Sequence, residues 1–220
     1  MPDRWATFDC YGTLIDWDGG VSAVLARLFG PGRAPDLLAR YHAAEPEVEA
    51  GPYRAYAEVM AESLARAAAG AGLAVPAGEE DALARALPRW EPFPEAPGAL
   101  AELRRRRWRL ALLSNSDRDL IAASARRLGV PFDAVVVAED VRSYKPAHGH
   151  WERFLAETGA ARDRHVHVAG SVFHDVAPAR ALGVTCVWIN RVGGAADAAA
   201  DRELPDLRGL PDALEELVPR

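Results

Sequence analysis

The sequence predicts a doubly wound, parallel α/β sheet with a helical segment inserted after the first strand. Three observations carry this. Five short apolar runs, at 5–8, 110–113, 134–137, 165–169 and 185–189, have the length and continuous apolar character of strands buried on both faces. Helical patterns at 118–128, 150–158 and 175–182 alternate with the later runs, and Gly129, Gly159 and Gly183 stop them. The stretch 18–90 contains no strand-like run.

The elements follow in chain order. The first run delivers Asp9 into a turn marked by Gly12 and Thr13. The inserted stretch reads as helices at 21–29, 35–49, 53–69 and 79–86, separated by Gly- and Pro-rich breaks. "EPFPEAP" at 91–97 is a stiff linker back to the sheet. The expected division is therefore a core of 1–17 and 91–220 and a helical cap of 18–90. The run "RRRRWR" at 104–109 reads as the solvated end of a helix entering the second strand, where positive charge suits the helix dipole.

With 220 residues, half of them apolar, the chain can bury a sizeable core. Its formal charge of -6 gives no basic surface for nucleic acid or anionic membrane. No apolar run is long enough to span a bilayer, and no charged-then-apolar leader precedes the first strand. Two cysteines, Cys10 and Cys186, are too few for a disulfide framework, which points to a reduced, cytoplasmic setting. Among 26 basic residues, Lys145 is the sole lysine. Set against a chance survivor, a lysine kept in a composition that favours arginine points to a site where arginine cannot substitute.

In open α/β sheets, sites form beyond the carboxyl ends of the strands. Four polar clusters fall there: Asp9 with Thr13, the Ser114–Asn115–Ser116 group, Lys145 in "SYKP", and Gly170, Ser171 and Asp175 in "GSVFHD". With "FDCYGTL" and "LLSNSD", these segments resemble the four motifs of the haloacid dehalogenase superfamily over almost the whole chain. "FDCYGTLIDW", "SYKP" and "CVWINR" together are similar to its type II L-2-haloacid dehalogenase branch.

The resemblance implies a Rossmann-like core, a cap, and Asp9 as a nucleophile that forms an ester. Lys145 would hold Asp9 ionised, Thr13 would fix its side chain, and Asp175 would position or deprotonate the hydrolytic water. Tyr11, Ser114, Asn115, Trp151 and Ser171 would line the substrate site, with Trp151 as an apolar wall. The dehalogenases carry a cap arginine for the halide; here Tyr41 falls in its register, with Arg40 beside it. Their fourth-motif serine and asparagine correspond to Gly170 and Val172. His174, beside Asp175, has two readings: a substitute for the missing asparagine, or, as is commoner for a histidine at a helix start, plain surface.

Chemistry narrows the reaction. An alkoxide leaving group needs a proton donor, and the superfamily's phosphatases place a carboxylic acid two residues after the nucleophile. Here that residue is Tyr11, whose phenol is a poor substitute. A halide needs no proton. The superfamily's metal-binding aspartate corresponds to Gly170, one carboxylate short of a Mg²⁺ site. The expected function is hydrolysis of the carbon–halogen bond of a small 2-halo acid, without cofactor or metal. The partner is then a small carboxylic acid, and the oligomeric state, homodimer included, stays open. A Mg²⁺-dependent phosphatase and a non-catalytic binding protein remain as alternatives.

Overall fold

Strand β1 (Arg4–Phe8) lies inside a six-stranded sheet of order β3-β2-β1-β4-β5-β6. Its neighbours are β2 (Trp108–Ser114) and β4 (His165–Ala169), and every pairing in the sheet is parallel. Strands β3 (Ala134–Val137), β5 (Thr185–Ile189) and β6 (Arg202–Leu204) complete it. The described residues of this computed structural model are 3–195 and 200–220, so positions 1–2 and 196–199 of the expected core lie outside them.

After β1 the chain builds four helices before returning: α1 (Trp17–Phe29), α2 (Ala34–Glu49), α3 (Tyr56–Gly70) and α4 (Ala82–Ala86). Helix α5 (Ala96–Arg105) leads back into β2. Helices α6 (Arg118–Leu128), α7 (Ala138–Val141), α8 (Gly149–Thr158), α9 (Ala177–Ala181) and α10 (Leu210–Leu217) follow. The sheet places β2 and β4 on opposite sides of β1. That reversal makes the carboxyl end of β1 a switch point, where α/β sheets open a crevice.

Alternation along β1 sends Trp5 to one face and Ala6 and Phe8 to the other. The Phe8 face shares its core with Leu25, Leu37, Met60 and Leu64 of the insertion, so the helical segment packs as part of the core. The Trp5 face buries Leu113, Val136, Trp151 and Phe154.

The five expected strands are all present, and β2 is longer at both ends. Several helices differ. The expected 53–69 helix begins at Tyr56, because the Asp117 carboxylate accepts from the Tyr56 and Ala57 N–H groups at 2.8 and 3.0 Å. Those are the orphan donors of a first helical turn, capped here by a distant segment. The 79–86 helix shrinks to α4 and a 3₁₀ turn at Leu87–Arg89. The 175–182 helix divides into a π turn at Val172–Val176 and α9, so Asp175 sits inside the turn rather than at a helix start. Strand β6 and helices α7 and α10 have no counterpart among the elements read from the sequence. In the arginine run, Arg104, Arg105 and Arg106 pair with Asp133, Glu102 and Glu102 respectively, as a solvated helix end would.

The crossings into and out of the insertion are joined. Asp16 N–H donates to Glu91 O at 2.9 Å, and Phe93 N–H donates to Leu14 O at 2.9 Å. Trp90 packs directly over Gly20 of α1, where a β-carbon would overlap the indole ring. In an open helix Gly→Ala stabilises by about 1 kcal/mol. Here Gly20→Ala is expected to destabilise by about 1–3 kcal/mol through overpacking. Urea denaturation checks the sign, and a gain in stability would contradict the packing.

Candidate active site

The carboxyl ends of β1, β2 and β4 bring Asp9, Ser114, Asn115, Gly170 and Ser171 to one rim, and the loop after α7 adds Lys145. Between this rim and the insertion lies a cleft of about 500 Å³. The turn after Asp9 is tight. Cys10 O accepts from Leu14 and Ile15 N–H at 2.8 and 3.0 Å, and Gly12 takes φ +83°, a left-handed value that glycine alone adopts without steric cost. The reversal brings Thr13 Oγ1 within 2.7 Å of Asp9 Oδ2, to which it donates. Thr13 Oγ1 in turn accepts from Gly170 N–H at 2.8 Å.

Lys145 is 1% exposed. Its Nζ donates to Asp9 Oδ1 at 2.9 Å, to Asp175 Oδ1 at 2.7 Å and to Leu113 O at 2.9 Å. These contacts use all three ammonium hydrogens. Burial pulls the ammonium pKa down, but the Asp175 and Asp9 carboxylates outweigh it and hold Lys145 above the ordinary lysine range. Burial likewise pushes Asp175 up, while Lys145 and His167 hold it well below the carboxylate range. A buried chain continues behind it: Asp175 Oδ1 to His167 Nε2 at 3.0 Å, His167 Nδ1 to Thr7 Oγ1 at 2.9 Å, and Thr7 Oγ1 to His165 Nε2 at 2.7 Å.

Asn115 clamps the lysine backbone. Its Oδ1 accepts from Lys145 N–H at 2.7 Å and its Nδ2 donates to Lys145 O at 3.1 Å. The side chain is thus engaged in positioning, leaving the backbone for substrate. Ser114 Oγ is buried at the cleft with no partner among the described residues, a hydroxyl available to a ligand. Tyr11 lines the cleft, but its hydroxyl bonds Ser124 Oγ at 3.0 Å, and burial raises its pKa still further from that of an acid catalyst.

A Mg²⁺ site does not fit these residues. A β-carbon at position 170 would lie 2.9 Å from Gly12 O, so a ligating side chain there has no room. The ammonium of Lys145 already sits between the two motif carboxylates. Among the described residues, no group of three or more His, Cys, Asp or Glu side chains is arranged to hold a metal.

Four expectations need correction. Arg40 does not line the cleft: its guanidinium binds Asp36 at 2.8 Å and Gly70 O at 2.7 Å on the outer face of α2. Tyr41 is fully buried beside the cleft, and its hydroxyl donates to Glu45. Trp151 is no wall of the substrate site. It is buried against His167, with ring centroids 5.2 Å apart, behind Asp175. Ser171 does line the cleft, and its Oγ caps the π turn through His174 N–H at 3.1 Å. His174 is not plain surface: it lines the cleft 3.5 Å from Glu49, whose carboxylate raises its pKa against the lowering effect of burial.

Glu45 and Glu49 were missed as cleft residues. Helix α2 presents them with His42 and Pro46 on one face, at i, i+3, i+4 and i+7. Charged residues at that spacing read as a solvated face, and nothing local marks them otherwise.

A family model described as haloacid dehalogenase-like hydrolase matches residues 4–183. The chain belongs to that family. It is 32% identical over 219 residues to haloacetate dehalogenase H-2 of Moraxella sp. (strain B), covering 96% of each chain. It is 33% identical over 190 residues to a phosphoserine phosphatase of Thermus thermophilus, covering 83% of this chain and 73% of the relative. The crystal structure of an L-2-haloacid dehalogenase superposes with a TM-score of 0.88 at 27% identity, covering 98% of this chain and all of the other. The superposition takes in this hydrolase's parallel sheet and its inserted helices. No helix among the described residues is long and apolar enough to cross a membrane.

Placing an aspartate at position 170 tests the metal argument. Gly170→Asp is expected to lower the melting temperature and to gain no stabilisation from millimolar Mg²⁺, because the added atoms collide with Gly12 O before reaching a ligating position. A Mg²⁺-dependent rise in melting temperature would refute the fit.

Proposed function

We propose that the chain hydrolyses the carbon–halogen bond of a small 2-halo acid without a metal, forming an ester on Asp9 and releasing the 2-hydroxy acid. The observation that carries this is the Lys145 ammonium seated between Asp9 and Asp175. It orients Asp9 with Thr13 and supplies the local positive charge that a cation would otherwise provide. The cleft volume suits a small substrate. The inserted helices act as a cap, and the two free, buried cysteines support a reducing, cytoplasmic setting.

In the first step an Asp9 oxygen attacks the halogen-bearing carbon and halide departs with the bonding electrons. The Ser114 hydroxyl and the backbone N–H groups beside Asn115 hold the substrate carboxylate. In the second step water attacks the Asp9 carboxyl carbon. The alcohol leaves and the carboxylate returns to Lys145. Asp175 positions that water; its depressed pKa makes it a weak base.

The phosphatase reading has support from the Thermus thermophilus relative. The site's charges weigh against it. A phosphate dianion would meet Asp9, Asp175 and Glu49, and each like-charge pair at 4 Å costs about 4 kcal/mol at intermediate dielectric. Chloroacetate or a 2-chloropropionate enantiomer should release chloride at a rate unaffected by EDTA, while phosphate esters turn over slowly. Asp9→Asn should lower that rate by at least about a thousandfold, about 4 kcal/mol of transition-state stabilisation. Single-turnover reaction in ¹⁸O-water should leave the label in Asp9 and not in the product. Mg²⁺-dependent phosphate release with no halide release from any small haloacid would reverse the choice.

A further inference from the structure

Strand β4 carries two fully buried histidines, His165 and His167. Strands buried on both faces ordinarily fill such positions with apolar side chains. Residues two apart on a strand share a face, and the parallel pairing with β1 sets Thr7 opposite His167 and Trp5 opposite His165. The Thr7 hydroxyl thereby lies between the two imidazoles, 2.7 Å from His165 Nε2 and 2.9 Å from His167 Nδ1. His167 Nε2 reaches Asp175 Oδ1 at 3.0 Å. Phe154 packs on His165 and Trp151 on His167, with ring centroids 4.9 and 5.2 Å apart, so neither imidazole has room to turn.

The hydrogen positions follow from the two ends of this chain. His165 Nδ1 is enclosed with no partner among the described residues. Burial pushes the His165 pKa down to about 3, so the ring is neutral and carries one proton. A buried N–H is placed where an acceptor meets it, so that proton sits on Nε2 and is donated to Thr7 Oγ1. The Thr7 hydroxyl then donates to His167 Nδ1, and His167 keeps its proton on Nε2, facing Asp175. The opposite end gives the same answer, because the ionised Asp175 carboxylate can only accept. Every bond in the chain points toward Asp175.

Asp175 is held by one oxygen. Oδ1 accepts from Lys145 Nζ at 2.7 Å and from His167 Nε2. Oδ2 has no hydrogen-bond partner among the described residues and is not sealed from the cleft that Asp175 lines.

Resting on the carbon–halogen reading, we infer that His167, Thr7 and His165 are positioning residues for the second half of the reaction: they anchor Oδ1 of Asp175 and so aim Oδ2 at the water that hydrolyses the Asp9 ester. The division between steps follows from the contacts. Asp9 is fixed by Thr13 Oγ1 and Lys145 Nζ, and Lys145 is held in addition by Leu113 O. Attack on the halogen-bearing carbon uses those contacts and not the histidines. Ester hydrolysis needs a water placed against the Asp9 carboxyl carbon, where a displacement of about 1 Å costs on the order of 100-fold in rate.

Thr7→Val keeps the shape of the side chain and removes the hydroxyl that links the two histidines. Bromoacetate is supplied for a single turnover. Bromide release reports ester formation, and the mass of the peptide carrying Asp9 reports ester decay. Thr7→Val should release bromide within about twofold of the wild-type rate while ester decay slows by about 10-fold or more, so that the ester accumulates. Thr7→Ser, which restores a hydroxyl, should bring decay back to within about threefold of wild type. A purely structural defect would slow both steps together. In wild-type protein, ¹⁵N-histidine NMR near neutral pH should find His165 and His167 each with the proton on Nε2 alone, a measurement that needs no variant to fold. Equal slowing of both steps, unslowed ester decay, no recovery in Thr7→Ser, or a proton on Nδ1 of either histidine would overturn the positioning role and leave the carbon–halogen reading intact. Absence of bromide release from the wild-type protein would overturn both.

Discussion

The site is organised around one buried ammonium. Lys145 Nζ lies between Asp9 and Asp175 and gives its third hydrogen to Leu113 O. Taking these charges out of water costs several kcal/mol per ion, and the arrangement is stable only if every donor and lone pair nearby is satisfied. Much of the surrounding structure meets that requirement. Asn115 grips the lysine backbone at two points, Thr13 saturates the far oxygen of Asp9, and His167 shares Oδ1 of Asp175. An arginine, planar and longer, could not put three donors into this space. That accounts for a lone lysine in a chain whose other basic residues are arginines.

The same interaction limits the chemistry. Because Lys145 keeps Asp175 strongly ionised, that carboxylate is better suited to orienting water than to accepting its proton. Because the ammonium sits between the carboxylates, the positive charge near Asp9 is built into the chain. The approach of Gly170 to Gly12 O belongs to this design: the absence of a side chain lets the fourth-motif loop press against the first turn, where its N–H reaches Thr13. The nucleophile's turn and the fourth motif are thereby locked into one unit.

The cap wall obeys a different constraint. Its inner face is one stripe of α2 that lines the cleft. Tyr41 and Tyr56 converge on one oxygen of Glu45, so an acidic residue is accommodated in an enclosed position without a basic partner. Glu49 meets His174 and Asn115 across the cleft, which ties this wall to the core. Asp117 does the same by capping α3.

The five buried strands, the insertion after β1 and the turn after Asp9 were legible in the sequence, since each rests on local signals. Continuous apolar runs mark buried strands, glycines mark stops, and a single lysine stands out against arginine. The direction in which each side chain points was not legible. Arg40 turns outward to Asp36 and Gly70, and Trp151 packs behind His167. Strand β6, three residues long, is too short to register as a pattern. Glu45 and Glu49 carry the periodicity of an exposed helical face. They become cleft residues only because α2 is laid over the carboxyl ends of the strands. Periodicity specifies which residues share a face; the packing of one element on another decides what that face meets, and that is a property of the folded chain as a whole.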